Sequence, residues 1–167
     1  MPLSTFTLLH VVISLAGIAS GLVVIAGFLR DQRLDRWTAV FLATTVATSA
    51  SGYLFPVEHV MPSHIVGAIS LVVLLVAIVA RYALHMSGAW RWIYVVGAVL
   101  GEYFNCFVLV VQSFLKIPAL KALAPTQSEP PFAVAQLIVL AIFIGLGVAA
   151  VKKFQQKPVR SARSATA

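Results

Sequence analysis

Glu102 interrupts an apolar run from Trp92 to Leu115. That run is long enough to cross a bilayer, where a mid-depth carboxylate costs a few kcal/mol and demands a partner or a water-filled cavity. Asn105 follows three residues later and Gln112 seven after that, so helical periodicity predicts one polar face carrying all three. An intramembrane carboxyl on such a face suits two kinds of chemistry: exchange of a proton, or the holding of a small polar solute.

Other polar groups fall at matching depth. His10, Ser14, Gly17 and Gly21 recur at spacings of four, three and four, one face of a helix. Ser51 and Tyr53 sit at the end of a second apolar segment, His64 begins a third, and Gln136 lies in the last. At about 1.5 Å per residue, His10, His64, Gln112 and Gln136 all fall in the outer part of the bilayer, with Glu102 beneath them. The expected site is an outward-open polar pocket with Glu102 as its ionisable floor, Asn105, Gln112, Gln136 and Tyr53 around it, and His10 and His64 at the entrance. Each group also has a purely structural use. A neutral Glu102 bonded to a nearby Ser or Thr would serve packing alone, because burial disfavours the charged form of a carboxyl. Asn105 and Gln112 would equally serve as interhelical hydrogen bonds, His64 as part of a helix cap after Pro62 and Ser63, and Glu58 with His59 as a solvated loop pair.

Imidazole with carboxylate suits zinc, copper or nickel, which makes His10, Glu58, His59 and His64 the metal candidates. Their spacing matches no standard site. A b-type haem would need two facing histidines, and His10 with His64 is the pair at similar depth. A second haem would have only His85, so a two-haem path is not expected. The chain contains no CxxC, HExxH, Walker A or GxGxxG pattern, and its one cysteine, Cys106, lies inside an apolar run and cannot form an intrachain disulfide.

The elements that must position these residues follow from composition. Hydrophobic residues make up 60% of the 167 and charged residues 10%, against about 25% charged in soluble domains. Such a chain implies an all-α integral membrane bundle occupying residues 1–151, with a basic tail at 152–167 expected to be disordered. Five segments approach the roughly 20 residues needed to cross: 6–29, 37–55, 65–84, 92–115 and 132–151. The second holds six Ser and Thr hydroxyls, which can bond back to helix carbonyls; a re-entrant segment is its alternative. Residues 1–5 carry no Lys or Arg, so the first segment lacks the basic region of a signal peptide.

Ten of the twelve basic residues cluster at one side of this arrangement, leaving only Lys116 and Lys121 on the other. The positive-inside rule then places the N-terminus outside and the C-terminus in the cytoplasm. The net charge of +7 is read as topogenic rather than as a nucleic-acid footprint, since the basic residues sit at the ends of apolar segments. The connection 116–131, with four prolines, either caps the outer mouth or is a loose connector. Two GxxxG motifs, Gly17/Gly21 and Gly97/Gly101, permit close helix contact, within the chain or in a homo-oligomer. The second lies one turn before Glu102 and is expected to bury it.

The stretch 85–132, with GAWRWIYVV, FVLVVQSFLKIPALKALAP and TQSEPPF, resembles small multi-pass inner-membrane proteins of bacteria. The resemblance extends over most of the chain and implies a bacterial plasma-membrane setting. It brings no assigned activity and no site residue. Three readings of function therefore stay open: binding or movement of a small solute or proton at Glu102; a redox protein holding haem, metal or quinone near His10 and His64; and a non-catalytic subunit of a larger membrane complex. Enzymatic activity is left open, with a non-enzyme the stronger expectation.

Overall fold

The computed structural model describes residues 3–55 and 62–155, and every regular element among them is helical. Six α-helices follow in order: α1 (Leu3–Leu29), α2 (Asp35–Ser51), α3 (Pro62–Ile78), α4 (Trp90–Lys116), α5 (Pro118–Leu123) and α6 (Pro130–Lys153). Among the described residues, four segments are long and apolar enough to cross a membrane: Ser4–Leu29, His64–Ala83, Trp90–Lys116 and Pro130–Lys153. The second of the five expected spans falls short of this. α2 has 17 residues, about 25 Å at helical rise, and continues as a 3₁₀ turn over Gly52–Leu54.

The connections show why the helices stop where they do. α1 ends as Gly27 accepts hydrogen bonds from the amides of Arg30 and Gln32, and Asp31 takes a left-handed conformation (φ 53°) that Asp tolerates better than most residues. A Cβ on Gly27 would lie 2.8 Å from Leu34 Cδ1, so Leu34 packs on bare backbone and the chain turns back along α1. α3 passes into a π-helical turn, Val79–Ala83, and then into His85 and Met86, both left-handed (φ 49° and 56°). Met86 is nonetheless buried, and its amide donates to the carbonyl of Ala80. The Pro-rich connection is docked rather than loose. Pro118 starts α5 at a position that needs no N–H, Ala124 is fully buried, and Gln127 Nε2 donates to the carbonyl of Val111 on α4 at 2.8 Å.

α4 is the hub. It packs on α1, α3 and α6, while α2 bridges α1 and α3 and rests lightly on α4. Both glycine pairs are covered by the chain's own helices. Cβ atoms at Gly97 and Gly101 would lie 3.0 Å from Ala77 and Leu74 of α3, and those at Gly17 and Gly21 would meet α2 and α4. The apolar core lies toward the basic end of the bundle, where Phe28 meets Tyr94 edge-on at 5.5 Å and Phe154 at 5.0 Å. The outward faces are apolar as well. α6 exposes Val134, Leu137, Ile138, Ile142, Ile144 and Val148, a surface suited to lipid rather than water.

Candidate functional site

The predicted polar face of α1 is present and is turned inward. His10 Nδ1 is 2.8 Å from Ser51 Oγ on α2. One turn along, Ser14 Oγ donates to the carbonyl of His10 at 2.7 Å and lies 3.3 Å from Thr48 Oγ1. One turn further, Gly17 leaves space for hydroxyls: a Cβ there would be 3.3 Å from both Thr44 Oγ1 and Thr45 Oγ1. Thr45 is fully buried and accepts a hydrogen bond from Asn105 Nδ2 at 3.0 Å. The same Asn105 amide nitrogen lies 3.3 Å from Glu102 Oε2, and Cys106 Sγ is 3.7 Å from Glu102 Oε1. A seam of polar side chains thus runs between α1, α2 and α4 from His10 to Glu102. At 1.5 Å per residue from His10 to Gly21 it is about 16 Å long.

Glu102 itself is wholly buried. Its carboxyl occupies a notch opposite Gly21, where any Cβ would overlap Oε2 and would also lie 2.9 Å from Phe41 Cδ2. The sequence pointed to Gly97 and Gly101 as the glycines that bury Glu102. The structure assigns that role to Gly21, because the other pair faces α3. Glu102, expected as the floor of an outward-open pocket, has no exposed surface of its own. Toward the basic end from Glu102 lie the buried apolar side chains Phe41, Leu74, Val24 and Phe28.

The remaining expected site residues lie elsewhere. Gln112 is exposed. It lies ten residues from Glu102, about 15 Å further along α4, beyond the part of the helix that the seam occupies. Gln136 belongs to the α4–α6 seam, where its Nε2 donates to the carbonyl of Phe107 at 3.3 Å and its Oε1 finds no partner among the described residues. Tyr53 and His64 pair with each other at the α2–α3 connection: the Tyr53 hydroxyl donates to the His64 carbonyl at 2.6 Å, with ring centroids 5.4 Å apart. The convergence of His10, His64, Gln112 and Gln136 on one cavity is therefore not what the chain builds; His10 alone joins Glu102 and Asn105. Of the metal candidates, Glu58 and His59 lie outside the described residues. Among the described residues no three His, Cys, Asp or Glu side chains group as a metal site. His10 packs edge-on against Phe55 at 5.1 Å, and His85 is exposed.

A second polar cluster sits at the basic end; in sequence, its Arg33 and Arg81 count only among the ten basic residues of that side. Arg81, on the π turn, is 2% exposed and pairs through Nη2 with Asp35 Oδ1; Arg33 Nε also reaches that oxygen, at 3.1 Å. The guanidinium lies over the rings of Tyr94 (4.9 Å) and Tyr82 (5.6 Å), and the Tyr94 hydroxyl is 3.4 Å from Thr38 Oγ1. The signal that could have found the pair is Asp35 itself, an acidic residue among basic ones. Arg81 has its partner there and is not a partner of Glu102.

Comparison of the chain with family models, with curated proteins and with solved structures finds no match. The functional reading therefore rests on this geometry.

Proposed function

We propose that the chain is a multi-pass membrane protein that carries protons along the His10–Glu102 seam, with Glu102 as the group that takes up and releases the proton. The observation that supports this is the succession of hydroxyl and amide groups between the two titratable ends. Hydroxyls both donate and accept, so Ser51, Ser14, Thr48 and Thr45 can relay a proton without moving far. Such a chain of hydroxyl contacts suits a proton better than a larger solute. The step from Thr48 to Thr45 spans one turn of α2 and is the place for a bridging water. The apolar layer at Phe41 and Leu74 keeps the seam closed toward the basic end in this conformation.

In this proposal α2 joins the four long helices as a fifth crossing. Its hydroxyls reach α1, α4 and, through Ser49, Ser70 of α3, and its backbone is satisfied within the helix. The clustering of basic residues favours an N-terminus outside and a cytoplasmic C-terminus, and the resemblance of residues 85–132 favours a bacterial plasma membrane. The proposal is tested with Glu102→Gln in proteoliposomes. Gln retains the size of the carboxyl and its capacity to bond Asn105, but it cannot carry a titrating proton. Proton flux followed with an internal pH dye should fall to the protein-free baseline while thermal stability is retained. Full flux through the Gln protein would end the proposal.

A further inference from the structure

We propose that Arg81 and Arg33 form an oxyanion site at the basic end, in which Asp35 is an exchangeable occupant. Two guanidinium groups share one carboxylate oxygen, so the triad keeps a net positive charge. Arg81 contacts Asp35 through Nη2 only, and its neighbouring Nε is buried with no hydrogen-bond partner among the described residues. Nε and Nη2 form the edge of the guanidinium that grips a carboxylate or phosphate with two parallel hydrogen bonds. Asp35 fills half of that edge.

The two partners differ in mobility. Arg81 is 2% exposed and held between Tyr82 and Tyr94 at the centre of a π turn, a local distortion that recurs at functional sites. Asp35 is 66% exposed and stands in the first turn of α2, free to swing into solvent. The N-cap of α2, Leu34, provides no side-chain hydrogen bond, so the positive end of that helix adds to the same site. Around it Arg30, Arg36, Arg91, Lys152 and Lys153 raise the local concentration of anions. Asp31, the other acidic residue at this end, accepts a hydrogen bond from the amide of Gln155 instead. The ligand is an oxyanion with two oxygens to spare for one guanidinium edge. The phosphate of an anionic lipid headgroup and a free phosphate share that chemistry.

This site is separate from the proton seam, and its test uses no flux measurement. The purified full chain in neutral detergent is unfolded thermally in sodium phosphate and in sodium chloride of equal ionic strength, for the native protein, Asp35→Asn and Arg81→Lys. Phosphate should raise the native midpoint above the chloride value. Asp35→Asn removes the competing carboxylate, so half the effect should come at a phosphate concentration about tenfold lower. Arg81→Lys keeps the charge but loses the paired donors, and should abolish the difference between the two salts. In a second arm, short-chain phosphatidylglycerol is compared with phosphatidylcholine. A rise with phosphatidylglycerol but not with inorganic phosphate identifies a lipid headgroup; a rise with inorganic phosphate identifies a free oxyanion. If Asp35→Asn fails to fold, native against Arg81→Lys decides, and Arg33→Ala, which removes the more exposed guanidinium, serves if Arg81→Lys fails. Equal midpoints in both salts with no preference between lipids, or a phosphate effect that survives Arg81→Lys, overturns the proposal.

Discussion

Replacing Gly21 with alanine is the sharpest probe of how Glu102 is buried. In an unobstructed helix interior the change favours alanine by about 0.8–1.0 kcal/mol. Here the new methyl would overlap Glu102 Oε2 and lie 2.9 Å from Phe41 Cδ2. Neither neighbour has room to retreat, since Glu102 is 0% and Phe41 1% exposed. Overpacking of this kind costs about 1–3 kcal/mol, and two trapped neighbours place it in the upper part of that range. The net expectation is a loss of about 1–2 kcal/mol, or a fall of about 2–8 °C in the midpoint for a chain of this size. Thermal unfolding in detergent measures it. Gly145→Ala is the internal reference: nothing lies within 4 Å of that position, so the same substitution should leave the midpoint unchanged or raise it. A double-mutant cycle with Glu102→Ala sharpens the test. Removing the carboxyl empties the notch, so the double variant should be more stable than the sum of the single changes by about 0.5–3 kcal/mol. A Gly21→Ala protein as stable as Gly145→Ala, or strictly additive energies in the cycle, would refute the assignment of Gly21 as the seat of Glu102.

Two further outcomes follow from the seam and from the charge pattern. Thr45→Val keeps the shape but removes the hydroxyl that accepts from Asn105; stability should fall by about 0.5–1.5 kcal/mol as the part-buried amide loses one of two acceptors, and flux in the proteoliposome assay should fall with it, whereas unchanged flux would remove Thr45 from the path. Cysteine labelling with a membrane-impermeant reagent should find residues 30–36 and 85–91 on the cytoplasmic side and residues 56–61 on the opposite side; the same side for 30–36 and 56–61 would make α2 re-entrant.

Much of the architecture is legible in the sequence because it depends on short-range pattern. Uncharged runs such as Leu3–Leu29 exceed the length of a bilayer crossing, and their backbone can satisfy itself only as helix. The face His10–Ser14–Gly17–Gly21 is readable for the same reason: helical rotation is fixed per residue, so spacing alone puts these four in line. That Glu102 and Asn105 share a buried surface is likewise a matter of one turn.

Spacing names a face but not the helix that covers it. Nearness in sequence pointed to Gly97 and Gly101 as the pair that buries Glu102, yet the packing of α4 between α1 and α3 gives the carboxyl to Gly21 and leaves Gly97 and Gly101 to Ala77 and Leu74. Depth along the chain likewise put His10, His64, Gln112 and Gln136 on one level, yet level says nothing of direction. The structure distributes them over the α1–α2 seam, the α2–α3 connection, the exposed side of α4 and the α4–α6 seam. The pairing of Asp35 with Arg81 joins residues 46 positions apart and depends on a π turn that no local propensity announces. Sequence determined which residues line up along one face of their own helix. Tertiary structure alone decided which helices meet, because contact depends on relative position and rotation, and these are set by the packing of all the helices together.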